Sequence, residues 1–363
     1  MAFLFLMLSL FISCSQKKSE WKGRIEVVDG VTIVKNPKEP LYGPDVFNLK
    51  EDLSIGEAEG REKYMFFQIH TMAVSNNGDI YVLDIRENFV KVFNRYGEYI
   101  KTIGKKGEGP GEFIRPRNVV CFSQDKLAVG GMLRISCYSL NGEFLYRINP
   151  TKLGLIQFNI DSLGNIISWH MDLRHDITQF KLKKFSPELN EIFVYTTAQR
   201  PRSDRNEFNP FIPILTWTLS KDDRVICGFP ADEYKLEMYD KEGRLEKEIH
   251  REYSSEPVSE SDKGAILKFL KMDPERKLSV PSVKLPFRRI YSDDEGRIFV
   301  QTWRILENGE GFYYDIFDTD GKYLCMVPLK FVPLVIKKGK LYTIEEDKEG
   351  YQYVKRYKVT WNN

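Results

Sequence analysis

Between Met72 and Ile103 apolar residues come in short bursts, and glycine-bearing polar turns separate them. Met72-Ala73-Val74, the turn Ser75-Asn76-Asn77-Gly78-Asp79, and Ile80-Tyr81-Val82-Leu83 together have the pattern of a β-hairpin. A third burst, Val90-Lys91-Val92-Phe93, turns at Asn94-Arg95-Tyr96-Gly97 into Tyr99-Ile100-Lys101-Thr102-Ile103, with the two-residue alternation of half-buried strands. Four strands in chain order make one antiparallel unit.

The unit recurs five times. Val119 to Val129 and Ile135 to Ile148, joined through Leu140-Asn141-Gly142, form the second copy. The third runs from Phe158 through Gly164 to Phe193. The fourth runs from Leu215 through Arg224-Val225-Ile226 and Tyr239-Asp240-Lys241-Glu242-Gly243 to Ile249. Asp294-Glu295-Gly296-Arg297-Ile298-Phe299-Val300 and Ile316-Phe317-Asp318-Thr319-Asp320-Gly321 mark the fifth, and Val335 to Thr343 with Tyr353 to Val359 the sixth. Four-stranded repeats of roughly 40 to 50 residues are blades of a propeller, so the pattern predicts an all-β, six-bladed β-propeller over residues 25–363. The last copy lacks room for a fourth strand. Ile25-Glu26-Val27-Val28 or Val31-Thr32-Ile33-Val34 is the expected N-terminal strand that completes it, since closure removes exposed sheet edges.

One stretch breaks the period. Ser259 with Asp262 three residues on has the form of a capping box, Ile266, Phe269 and Leu270 share one helical face, and Pro274 stops the pattern. A short helical insertion near 259–273 is predicted, covering part of the blade surface.

At the N-terminus the run Phe3 to Ile12 is almost wholly apolar and too short to span a bilayer. Leu10-Phe11-Ile12-Ser13-Cys14 resembles a bacterial lipobox, which makes residues 1–14 a lipoprotein signal, Cys14 the lipidation site and residues 15–24 a polar tether. An ordinary cleaved signal peptide is the plainer alternative. Either places the chain in the bacterial cell envelope, with the anchored form on the periplasmic side or outer surface and the membrane as a partner. Lys and Arg total 54 against 52 Asp and Glu, so the charge balance points to no nucleic-acid partner. Cys121, Cys137, Cys227 and Cys325 have no Cys-x-x-Cys spacing and suggest neither zinc nor a redox pair. Buried free thiols are the simple expectation; Cys121 and Cys137, on neighbouring strands of one repeat, are the pair that an oxidising compartment would allow to bond.

The loop Ile103-Gly104-Lys105-Lys106-Gly107-Glu108-Gly109-Pro110-Gly111-Glu112-Phe113, with the strand-Gly-strand units around it, resembles the six-bladed β-propeller lipoproteins related to NHL-repeat proteins. That resemblance covers nearly all of the chain after the leader and implies fold and secretion, with no assigned activity. The loop itself lacks the Lys-Ser or Lys-Thr and the following helix of a phosphate loop, so it is expected to be a structural crossover between blades.

Catalytic signals are sparse. His70, His170, His175 and His250 have no metal-like spacing, and no Gly-x-Ser-x-Gly elbow occurs. The pairs Asp222-Asp223 and Asp293-Asp294 fall in hairpin turns, where solvated carboxylates are ordinary. No catalytic residue, metal or cofactor is predicted. Aligning the repeats on their first turn (Gly78, Asp125, Gly164, Asp223, Gly296, Gly339) superimposes the inner-strand entries. Seven residues upstream stand Thr71, Asn118, Gln157, Thr216, Arg289 and Val332; six upstream stand Met72, Val119, Phe158, Trp217, Ile290 and Pro333. The first set is expected to form a mostly polar ring at the channel mouth and the second to pack between blades. Eight upstream come His70, Arg117 and Arg288. Together these side chains outline a basic, hydrogen-bonding mouth for a polar or anionic ligand such as a carboxylate or sugar. The leading expectation is a tethered binding or scaffolding module for such a ligand, a glycan, a peptide or a protein. The alternatives are a hydrolase or lyase with calcium or another metal on the axis, and a purely structural part of an envelope complex.

Overall fold

The computed structural model of the chain describes residues 20–123, 125–131, 133–150, 157–202, 209–231, 233–269, 272, 279–307 and 309–362. The expected signal, Cys14 and residues 15–19 of the expected tether lie outside these residues. Six antiparallel sheets follow one another in chain order, spanning 69–103, 118–148, 158–201, 216–251, 289–329 and 335–361. Each is a blade whose first strand is innermost: Ile69–Val74, Asn118–Phe122, Phe158–Ile160, Thr216–Leu219, Arg289–Ser292 and Val335–Lys337. Neighbouring inner strands abut around the axis, as those of blades one and two or four and five do.

Three strands precede blade one: β1 (Arg24–Val28), β2 (Val31–Asn36) and β3 (Phe47–Ile55). The ring closes through β3, which pairs antiparallel with Gln352–Trp361 from Val354↔Ile55 to Trp361↔Phe47. The expectation that residues 25–28 or 31–34 supply this strand is thus corrected. The sequence hid β3 because its centre, Lys50-Glu51-Asp52, is charged. Those charges have cross-strand partners, Glu51 with Lys355 and Asp52 with Arg356 and Lys340. The β1–β2 hairpin instead extends blade four to six strands, with β2 running parallel to Leu245–Arg251. Asn36 fixes it there: its amide donates to the carbonyls of His250 and Gly321 and accepts from the Tyr323 amide.

The core is divided into six apolar clusters, each lying at one blade–blade interface. Tyr81, Leu83, Val90 and Val92 of blade one meet Val119, Leu127 and Val129 of blade two, and the last interface joins Phe299, Tyr314 and Ile316 of blade five to Ile336, Leu341 and Phe47. Blade faces alternate along each strand, so every strand feeds two clusters.

Hairpin turns repeat as a device. In the outer hairpins a residue donates its amide to the carbonyl three residues back, as in Gly97 to Asn94, Gly243 to Asp240 and Gly321 to Asp318. The side chain at the first position accepts further amides: Asp318 Oδ1 takes those of Asp320 and Lys322. Asp293 does the same in an inner hairpin and is buried, and Asp223 and Asp294 reach the backbones of Ser162 and Lys338 in adjoining blades. These turn carboxylates, expected to be solvated, are therefore structural staples.

The insertion between blades four and five contains α1 (Glu260–Phe269). Ser259 and Asp262 cap it reciprocally, and Ile266 is buried in the cluster between blades five and six. Leu270 lies outside the described residues. The four described cysteines are free. Cys121 pairs with Leu127 and Cys137 with Ala128, so a whole strand separates them. Strands about 4.8 Å apart put them roughly 10 Å apart, beyond disulfide reach.

Candidate functional site

The polar-to-apolar step at the inner-strand entries is present. Met72, Val119, Phe158, Trp217, Ile290 and Pro333 are all buried, whereas Thr71, Asn118, Thr216 and Val332 are half-buried and Gln157 and Arg289 exposed. His70 and Arg117, one residue earlier, are also exposed, and Arg288 is half-buried.

These side chains do different things. Asn118 is a strut, its amide donating to the Phe158 carbonyl at 2.5 Å across two blades. Thr216 Oγ1 accepts from the Ile290 amide at 3.3 Å and ties blade four to blade five. Gln157 contributes its carbonyl to Ser168 Oγ at 2.8 Å. His70, Thr71, Arg117 and Arg289 are the ones left for a ligand, since Arg288 is engaged with aromatic rings. Partial desolvation of the ring, with the nearby Arg117 charge second, holds the His70 imidazole below its ordinary value of 6.5.

Arg288 lies over the rings of Phe269, Trp303 and Phe312 at 5.1 to 5.2 Å, which joins α1 to the channel wall. Burial first, and the adjacent Arg289 charge second, bring its guanidinium down to about 10, still cationic at neutral pH. Arg289 is exposed, with the Tyr291 phenol beside it. Among the described residues no carboxylate pairs with Arg117, Arg288 or Arg289, although ion pairs are plentiful elsewhere on the molecule.

The glycine loop is self-contained. Glu112 Oε2 accepts the Gly109 amide at 2.8 Å, Lys105 pairs with the same carboxylate at 3.3 Å, and Phe113 is buried between blades one and two. Its own glutamate occupies the place an anion would take. Gly104, at φ +77°, needs to lack a side chain because a Cβ would lie 2.3 Å from the Phe113 ring. Among the described residues no three His, Cys, Asp or Glu side chains gather as a metal site. A separate cleft of about 130 Å³ opens between blades four and five, lined by Arg251, Lys284, Trp303, Asp315 and Tyr323 among others.

Sequence reasoning missed Gln301, Trp303 and Tyr314, which stand in blade five behind Arg289. The available signal was a glutamine within the otherwise apolar run Ile298-Phe299-Val300-Gln301.

A family model described as a 6-bladed beta-propeller matches residues 58–213. The chain is a six-bladed β-propeller. No curated protein matches it. Among solved structures, a protein described as exported, from Bacteroides fragilis NCTC 9343, is 12% identical with a TM-score of 0.56, over 91% of this chain and 100% of that one. A member of the duf4221 family from Bacteroides vulgatus ATCC 8482 is 11% identical with a TM-score of 0.49, over 88% and 100%. Virginiamycin B lyase from Staphylococcus aureus is 9% identical with a TM-score of 0.45, over 87% and 100%. At such identities the likeness concerns the propeller fold alone.

Proposed function

We propose that this propeller is an extracytoplasmic binding module, tethered to the envelope membrane through a lipid on Cys14, whose channel mouth takes a small polar or anionic ligand. The carrying observation is the charge at the inner-strand entries: Arg117, Arg288 and Arg289 stand there in blades two and five, and none has a carboxylate partner among the described residues. Unpaired guanidiniums in a partly enclosed site favour carboxylate or phosphate oxygens. The apolar leader ending at Cys14 supports export, and so does the fold's likeness to a Bacteroides protein described as exported. A divalent cation at the inner-strand entries would meet arginine charge and, among the described residues, no cluster of three His, Cys, Asp or Glu, which makes metal-dependent hydrolysis the weaker reading.

Calorimetric titration of the purified protein with carboxylates, sugar acids and neutral sugars tests this. Binding is expected among the anions and is expected to fall at least about tenfold, or 1.4 kcal/mol, in the Arg117→Ala, Arg289→Ala double variant. Equal binding by that variant, or ligands confined to neutral sugars, would refute the anionic mouth. For the anchor, intact-mass measurement of the mature membrane form should find diacylglycerol on Cys14, and an unmodified N-terminus would remove it.

A further inference from the structure

Behind Arg289 the channel wall departs from the pattern of the other blades. Arg289, Gln301 and Tyr314 stand in register on three adjacent strands and so form one row on one face of blade five, the face turned toward blade six. The matching rows read Thr71, Leu83 and Val90 in blade one and Asn118, Gly130 and Ile135 in blade two, while Thr216 faces Gly228 in blade four. Those rows become apolar or side-chain-free directly behind the inner strand. Blade five alone among them continues with an amide and a phenol.

Gln301 and Tyr314 are both 0% exposed, and neither amide atom of Gln301 nor the Tyr314 hydroxyl has a hydrogen-bond partner within the protein. The indole N–H of Trp303, on the same strand as Gln301 and 4% exposed, is likewise unpartnered. A buried polar atom left unpaired costs about 1–3 kcal/mol, and native interiors contain few. Several together, beside an arginine with no counter-ion, form a donor-rich cluster and would be a poor way to build a core. The available groups are a guanidinium, an amide N–H₂, a phenol O–H and an indole N–H, with the amide oxygen free to accept. That set complements a planar carboxylate carrying a neighbouring hydroxyl. A phosphate dianion fits less well, because Arg288 is stacked among rings and leaves one guanidinium to balance it.

Resting on the reading of the mouth as an anion site, we propose that this cluster opens as a recess between blades five and six and binds the carboxylate of a small hydroxy acid or sugar acid, held by Arg289, Gln301 and Tyr314. Arg289 is exposed and no ion pair holds it, so its rotation into the channel admits the ligand on the fast timescale of surface side chains. The Gln301 amide then donates to one carboxylate oxygen and accepts from the adjacent hydroxyl.

Titration with glucuronate as the probe, and glucose and inorganic phosphate as controls, decides the matter in the wild type and in Gln301→Leu, Tyr314→Phe and Arg117→Ala. Glucuronate should bind and glucose should not. Gln301→Leu should weaken binding at least about tenfold, equivalent to 1.4 kcal/mol, while the unliganded variant melts no lower than wild type, because an unpaired amide has been replaced by an apolar side chain of similar size. Tyr314→Phe removes one hydroxyl only and serves if Gln301→Leu fails to fold; it too should weaken binding. Full glucuronate binding by both variants, with loss in Arg117→Ala, overturns the recess and leaves the mouth standing. Binding unaffected by all three variants overturns both readings. Absence of glucuronate binding, or phosphate binding that depends equally on Gln301, overturns the carboxylate assignment.

Discussion

Asp315 shows how much one buried side chain holds in place. Its carboxylate is 0% exposed, accepts the hydroxyls of Tyr234 at 2.8 Å and Tyr323 at 2.6 Å, and pairs with Arg251 at 3.2 Å. Arg251 in turn lies over both tyrosine rings and donates to the Lys38 carbonyl, so blade four, blade five and the N-terminal segment share one ionic node. Breaking such a pair by removing one partner leaves a charge buried alone. Asp315→Ala should therefore lose about 3–5 kcal/mol, and Tyr323→Phe only about 1 kcal/mol, measured as shifts in the urea midpoint. Equal losses would show that the node acts through packing and not through charge. At this scale the sequence was legible where radial position alone decides burial, as in the step from Thr71 to Met72 or Arg289 to Ile290. It was not legible at Asp315 or Gln301, whose surroundings come from second and third strands that an alignment of inner strands never brings together.

The elements were legible to the extent that their turns are local. Gly97, Gly142 and Gly243 end the turns that the pattern predicted, and α1 starts at the predicted Ser259–Asp262 cap. Ring closure was not local, and there the choice between candidate strands failed: β1 and β2 are more apolar than β3, but β3 has the charges that match Lys355 and Arg356. Different consequences follow for the two segments. Removing residues 1–36 deletes a hairpin whose β1 side chains Ile25, Val27 and Val28 are exposed but whose Val34 and Asn36 are buried, and the remaining chain should melt lower than the full one yet still in one transition. Removing residues 1–55 strips the pairing edge from Gln352–Trp361 and uncovers Ile336 and Leu341. That product should aggregate or dimerise on size-exclusion chromatography. A monomeric, cooperative 56–363 chain would show that β3 is dispensable.

The molecule as a whole is a ring in which no interface closes independently. Its cysteines sample this evenly, since Cys121, Cys137, Cys227 and Cys325 lie in four different interblade clusters. Burial pushes the thiols up, Cys121 to about 12, Cys137 to about 11, Cys325 to about 12 and Cys227 as well; Cys137, Cys227 and Cys325 are buried, so reagents reach these three only through opening, whereas Cys121 is half-buried. If the ring opens as a unit, the three buried thiols should become labelled with the same dependence on urea when read site by site by mass spectrometry. Labelling of one of these three well before the others would identify a blade that separates early and would refute a single cooperative body. The sixfold count itself was readable because the apolar spacing of each blade repeats.

Blade six joins β3 to a strand about 300 residues further along the chain. A chain growing from its N-terminus therefore holds β3 unpaired until Gln352–Trp361 has been made. Blade six is the last sheet to be completed, and the contacts that depend on a closed ring wait for it.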